Sequence, residues 1–194
     1  MINLKLSQRL SAIADMVSQN DSVIDIGCDH ALLDIYLTNK GINCTASDIN
    51  KNALDIAKKN IEKYGLKNKI KTVQSDGLEN INIEKNDILV ISGMGASTIE
   101  HILSNDKFKL IDKVIIQSNN DLYELRKMMM LKHFYIDDEK VIYEKNKYYV
   151  IICFKRGYHK YKDIELYLGP CILLDKTPAN INYLEYIYEK EKFI

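Results

Sequence analysis

The run Asp25-Ile26-Gly27-Cys28-Asp29-His30-Ala31 places a glycine directly after a short apolar stretch, where a strand should hand over to a helix. A residue without a Cβ lets the backbone turn tightly and approach a ligand. The free N–H groups at the start of the next helix attract a carboxylate or a phosphate. Asp48 ends a second apolar stretch, 21 residues after Gly27. At that distance a carboxylate can accept hydrogen bonds from both hydroxyls of a ribose. Dinucleotides such as NAD and the methyl donor S-adenosylmethionine both satisfy these demands. The later loop positions separate them. A dinucleotide fingerprint wants glycines there, and Asp29 and Ala31 stand instead. Asp29 would repel a pyrophosphate and attract the amino group of a methionine moiety. The loop therefore favours S-adenosylmethionine.

Three further groups fall at ends of apolar runs: Ser75-Asp76-Gly77, Ser92-Gly93-Met94-Gly95 and Gln117-Ser118-Asn119-Asn120. Asp76 could take the amino group of an adenine while Gly77 turns the chain. The glycines around Met94 allow close backbone approach to a ligand. The candidate cofactor-binding residues are Arg9, Asp25, Gly27, Cys28, Asp29, His30, Asp48, Ile49, Asp76, Gly77, Ser92, Gly93 and Met94. Plainer roles compete. Asp29 and Asp48 could cap helices, Asp76 could serve a turn, and His30 could be structural.

Alternating elements must hold these groups in place. Leu6, Leu10, Ile13, Ala14 and Val17 predict an amphipathic helix over 4–18. Strands are predicted at 22–27, 43–49, 70–74, 87–91 and 114–116, with helices between most of them. This alternation implies a parallel sheet with right-handed crossovers. The pattern then changes. Runs at 135–143 and 147–154, separated by Glu144-Lys145-Asn146, read as an antiparallel hairpin. The predicted fold is α/β: a class I methyltransferase, Rossmann-like sheet of five parallel strands plus the hairpin, with helices on both faces. Residues 1–157 are assigned to an S-adenosylmethionine-binding domain, and 158–194 to a reduced helical extension with one helix after Pro178. Met128-Met129-Met130 reads as packing.

Composition narrows the function. Acidic and basic residues balance at 27 each, which argues against a uniformly basic nucleic-acid coat but allows a local basic face. Lys58, Lys59, Lys63, Lys67, Lys69 and Lys71 form one candidate, with a solvated surface as the alternative. Lys155, Arg156, His159, Lys160 and Lys162, interleaved with Tyr158 and Tyr161, form another. The cysteines Cys28, Cys44, Cys153 and Cys171 are widely spaced, so neither disulfides nor a metal site is expected. No secretory leader or membrane span is evident, so a cytoplasmic location is expected.

Several of these pieces occur together in one known family. Leu6-Ser7-Gln8-Arg9-Leu10, Asp25–Ala31, Asp76-Gly77-Leu78, Gly93-Met94-Gly95, Gln117-Ser118-Asn119, Leu125-Arg126 and Leu168-Gly169-Pro170 appear in that order. The chain resembles the bacterial TrmK family, tRNA methyltransferases that modify N1 of adenosine 22. The resemblance covers about residues 4–180. Ala96 stands where the family usually has a fourth-motif glycine, and Ser118 where it has proline. The family also carries a longer C-terminal helical coiled-coil domain.

The resemblance implies S-adenosylmethionine as cofactor and tRNA as partner, with no obligatory protein partner evident. N1 of neutral adenine carries a lone pair and no proton, so transfer needs placement rather than a general base. N1 lies on the pairing edge, so the base must be unpaired or flipped out. Asp29 and Asn119 are the catalytic candidates, as acceptors near the exocyclic amine where positive charge develops. Two alternatives remain open at this point: a small-molecule methyltransferase, and a catalytically silent RNA-binding module on the same scaffold. A nicotinamide oxidoreductase is disfavoured by Asp29 and the hairpin.

Overall fold

Val23, Ile24 and Ile26 put apolar side chains on both faces of the first apolar run, so it is stable only where both sides are covered. The computed structural model of the protein describes residues 4–192 and places this run, Ser22–Ile26, as β1 in the middle of a seven-stranded sheet. The other strands are β2 (Asn43–Asp48), β3 (Ile70–Gln74), β4 (Asp87–Met94), β5 (Lys113–Ser118), β6 (Phe134–Glu144) and β7 (Lys147–Arg156). Their order is β3-β2-β1-β4-β5-β7-β6. The first five are parallel, and β7 runs antiparallel to both β5 and β6. This is the α/β methyltransferase layout that the βα alternation and hairpin predicted. Lys145 and Asn146 carry the hairpin turn with φ of 51° and 61°, the paired left-handed geometry that suits two-residue hairpins.

Helices cover both faces. On one side lie α1 (Gln8–Ala14), α2 (Leu32–Asn39) and α3 (Lys51–Lys63), whose buried residues share a cluster with Val23, Ala46, Val90 and Ile151. On the other lie α4 (Ala96–Leu103) and α5 (Leu122–Leu131), packed with Ile24, Leu89, Ile116 and Phe154. Met129 is fully buried there, so the methionine run contributes packing.

Two elements differ from the sequence-based expectation. The first helix begins only at Gln8, because the Ser7 hydroxyl caps it by accepting from Leu10 N–H at 3.2 Å, and it stops at Ala14. Past β7 the chain forms several helices rather than one: α6 (Asp163–Leu168), α7 (Pro170–Leu174) and α8 (Pro178–Glu191). Gly169 turns the chain at φ 96°, and Pro170 and Pro178 each occupy a first helical turn, where their missing N–H costs nothing. Met1–Asn3, Phe193 and Ile194 lie outside the described residues.

The tail is bolted to the sheet. Arg126 of α5 is fully buried and donates through Nε to Glu139 Oε1 of β6 at 2.8 Å. Its Nη1 reaches the carbonyls of Leu166 and Tyr167 at 2.9 and 3.2 Å. Glu139 Oε2 accepts Cys171 N–H at 3.0 Å. One ion pair thus fixes the end of α6 and the start of α7. A Cβ on Gly169 would meet that same carboxylate at 2.6 Å.

Candidate functional site

The sheet order reverses between β1 and β4, since β2 and β3 lie to one side of β1 and β4 and β5 to the other. Ligands of open α/β sheets bind at the carboxyl ends of the strands at such a switch point. A cleft of about 510 Å³ opens there. All thirteen residues chosen from the sequence as cofactor-binding line it, Arg9 and Asp25 through Gly93 and Met94 included.

Local geometry explains the convergence. Gly27 sits at φ 78°, a left-handed geometry that strains any other residue, and a Cβ there would also displace the Met94 methyl group. Its N–H and that of Cys28 donate to Ser47 O at 2.8 and 2.9 Å, which locks the loop onto β2. Asp48 Oδ1 accepts Asn50 N–H at 2.8 Å, and Oδ2 accepts Asp29 N–H at 3.3 Å. The carboxylate is aimed by two backbone groups and keeps spare lone pairs for a ribose. It is not the cap of α3. That role belongs to Asn50, whose side chain accepts Asn52 N–H.

Asp29 is not a helix cap either. It has φ 48°, α2 starts after Ala31, and the Asp29 carboxylate is exposed and 2.9 Å from His30 Nδ1. Asp76 Oδ1 lies 3.4 Å from His101 Nε2 on α4. Gly93, at φ 82°, marks the β4 irregularity between Ser92 and Met94, which turns this backbone toward the cleft. Arg9 reaches across from α1 and donates Nη1 to Ser92 Oγ and to Gln117 Oε1, the latter at 2.9 Å.

Asn119 is placed differently from the other candidates. It does not line the cleft; its Nδ2 donates to Gly93 O at 2.7 Å, and its Oδ1 accepts from Gln117 Nε2 at 3.2 Å. Its side chain braces the Gly93 backbone from behind.

Several residues at the site were not among the sequence candidates. Asp34, on the first turn of α2, is fully buried beside Asp25. Burial pushes the Asp25 carboxyl up to about 7, with a hydrogen bond from Asp34 opposing that shift. Burial, and then the charge of Asp25, holds Asp34 well above the usual carboxylate range. Burial likewise pushes the Cys28 thiol up, so it is an inert lining group. Thr98, His101 and Ile102 line the cleft because α4 begins at its rim. Their spacing of three and four residues was the available clue.

Part of each candidate basic face is paired with nearby carboxylates. Lys58 and Lys67 lie 3.9 and 2.8 Å from Asp55 and Glu62. Arg156 is a clamp, not a free cation: it pairs with Asp112 at 2.7 Å, lies over the Phe134 ring and bonds the carbonyls of Phe108, Lys109 and Ile111. The Tyr161 hydroxyl accepts Ile136 N–H at 2.8 Å, whereas Tyr158 stays exposed.

Comparison with known proteins agrees with this geometry. Residues 6–152 match the family described as a methyltransferase domain. The tRNA (adenine(22)-N(1))-methyltransferase of Bacillus subtilis is 32% identical over 98% of this chain and 87% of its own length. The chain belongs to the TrmK family. Among solved members, TrmK of M. capricolum in complex with S-adenosyl-homocysteine superposes with a TM-score of 0.77 at 35% identity, covering 96% of this chain and 95% of that one. A Streptococcus pneumoniae protein in complex with S-adenosyl-L-methionine superposes at 0.91 with 30% identity, covering 97% and 91%. Within this TrmK-family fold the cleft fits such a cofactor: a glycine cradle that a Cβ would fill, and a carboxylate fixed by two N–H groups with acceptor capacity to spare. No described helix is long and apolar enough to cross a membrane.

Proposed function

We propose that the protein is an S-adenosylmethionine-dependent methyltransferase acting on N1 of adenosine 22 in tRNA, working in the cytoplasm. The observation that carries this reading is the Asp48 carboxylate, held at the switch-point cleft by Asn50 and Asp29 N–H, in a chain 32% identical over 98% of its length to an enzyme of that activity.

Bound S-adenosylmethionine supplies an electrophilic methyl group. Gly27 and the Cys28 backbone receive its methionine moiety, Asp29 meets its ammonium, Asp48 its ribose and Asp76 its adenine amino group. Ile49 packs beside the adenine from the end of β2. Met94 and the Ser92–Gly93 backbone shape the far side, where the target base enters. Asn119 holds that backbone through Gly93 O, and Asp29 offers an exposed carboxylate to the exocyclic amine. Residues 1–157 carry this machinery, and 158–194 form an extension that meets tRNA.

The test is transfer of labelled methyl from S-adenosylmethionine to unmodified tRNA bearing A or G at position 22. Transfer that needs the adenine and yields 1-methyladenosine is the expected result. Equal labelling of both tRNAs, or none with the cofactor bound, overturns the assignment.

A further inference from the structure

Methyl transfer to N1 requires an adenine to be held outside its stack, and the motif after β4 offers no aromatic surface for it. The chain supplies one from a distant strand. The β5–β7 register pairs Gln117 with Ile151. Tyr149 lies two residues before Ile151 on β7, toward the carboxyl end of β5. Strand alternation puts Tyr149 on the face of Ile151 and Cys153, which pack with α1. Arg9 of α1 meets it there, its guanidinium 5.7 Å from the ring centroid. That same guanidinium bonds Ser92 and Gln117 at the cleft wall. Tyr149 is half-buried, with Lys147 Nζ 5.3 Å from its ring and exposed to solvent.

We propose that Tyr149 is the platform on which the target adenine stacks, positioned by Arg9, which itself lines the cleft. The inference rests on the tRNA reading above. An aromatic face accepts any base by stacking. It also attracts the positive charge that methylation leaves on the adenine, since the electron-rich face of a ring favours a cation. Lys147, exposed to solvent, is placed to exchange the ring for a neighbouring phosphate, which uncovers the face. Arg9 keeps the ring aligned while its other contacts hold it to Ser92 and Gln117. Tyr149 thereby joins the hairpin, which lies past the matched cofactor-binding motifs, to the reacting end of the cleft.

The experiment compares the full chain with Tyr149→Ala and Tyr149→Phe. Three quantities are read: kcat/KM for methyl transfer to tRNA, the cofactor Kd by calorimetry, and the emission of tRNA carrying 2-aminopurine at position 22 in the presence of S-adenosylhomocysteine. Tyr149→Ala is expected to lower kcat/KM on the order of 10- to 100-fold, to leave the cofactor Kd unchanged and to abolish quenching of 2-aminopurine. Tyr149→Phe restores most of both losses, since the ring and not the hydroxyl does the stacking. The proposal is overturned if Tyr149→Ala methylates at the parental rate. It is also overturned if the cofactor Kd rises in step with the lost rate, because the ring would then only prop Arg9. Failure of the underlying reading looks different: tRNA that is not methylated, yet quenched through Tyr149, keeps the platform and refutes the reaction, and tRNA neither methylated nor quenched refutes both.

Discussion

Arg126→Ala removes the cation from a site where neither partner of the ion pair reaches solvent. Glu139 would keep only the backbone N–H groups near Cys171 and Ile172 as donors. The carbonyls of Leu166 and Tyr167 would lose their Nη1 partner. Breaking a buried pair on one side costs about 3–5 kcal/mol, because the surviving charge is left without compensation. A domain of this kind is stable by roughly 5–15 kcal/mol, so the variant should sit near the edge of folding. Urea unfolding followed by circular dichroism measures the loss.

The pH dependence gives a sharper check of the same reasoning. Burial already raises the Glu139 carboxyl above its ordinary range with Arg126 in place. Without Arg126 the folded state holds that proton more tightly still. The destabilisation should therefore shrink as pH falls and Glu139 is neutralised before folding. Arg126→Met combined with Glu139→Leu removes both charges and should recover most of the loss, since replacing a whole buried pair with apolar groups is often neutral. A single variant that loses less than about 1 kcal/mol, the range of an exposed pair, would refute the account. So would a double variant as unstable as the single one.

Three further outcomes are expected. Asp48→Ala should weaken S-adenosylmethionine binding by about 1.5–3 kcal/mol, the worth of hydrogen bonds to a charged group; calorimetry that shows parental affinity would remove Asp48 from the ribose subsite. Gly27→Ala forces a side chain into the left-handed region at a cost of about 1–2 kcal/mol and displaces Met94 into the cleft, so thermal stability and cofactor affinity should fall together; unchanged affinity would count against the cradle. Asp25 is the pH-sensitive case: unfolded, it releases its proton near its ordinary 3.8, and folded it keeps the proton to about 7, so its contribution to stability is present at low pH and is lost as pH rises through that window. Asp25→Asn removes the titrating carboxyl and should flatten this decline in urea melts recorded at several pH values, whereas a decline as steep as the parent's would show that Asp25 does not carry it.

Much of this protein is legible in order along the chain because the relevant physics is local. Runs with apolar residues on both faces demand cover on both sides, so the β1 and β4 segments announce a buried parallel sheet. Gly27 and Asp48 announce a nucleoside-type ligand, because a Cβ-free turn and an acidic strand end are requirements of single positions. Tertiary structure decided what depends on residues far apart. The boundary of α1 was settled by the Ser7 cap, and the tail became three helices because Gly169 and the two prolines interrupt a pattern too short to show periodicity. Asn50, not Asp48, caps α3, which leaves the Asp48 carboxylate to the cleft. Arg156 reads as an RNA-facing cation in sequence, yet its partners Asp112 and Phe134 lie at least 22 residues away. Arg126 and Glu139, Asp25 and Asp34, and Arg9 with Tyr149 are pairings that no spacing rule encodes. They exist only because strand register and helix packing bring separate segments within hydrogen-bonding or ring-contact distance, and burial then sets what their charges can do.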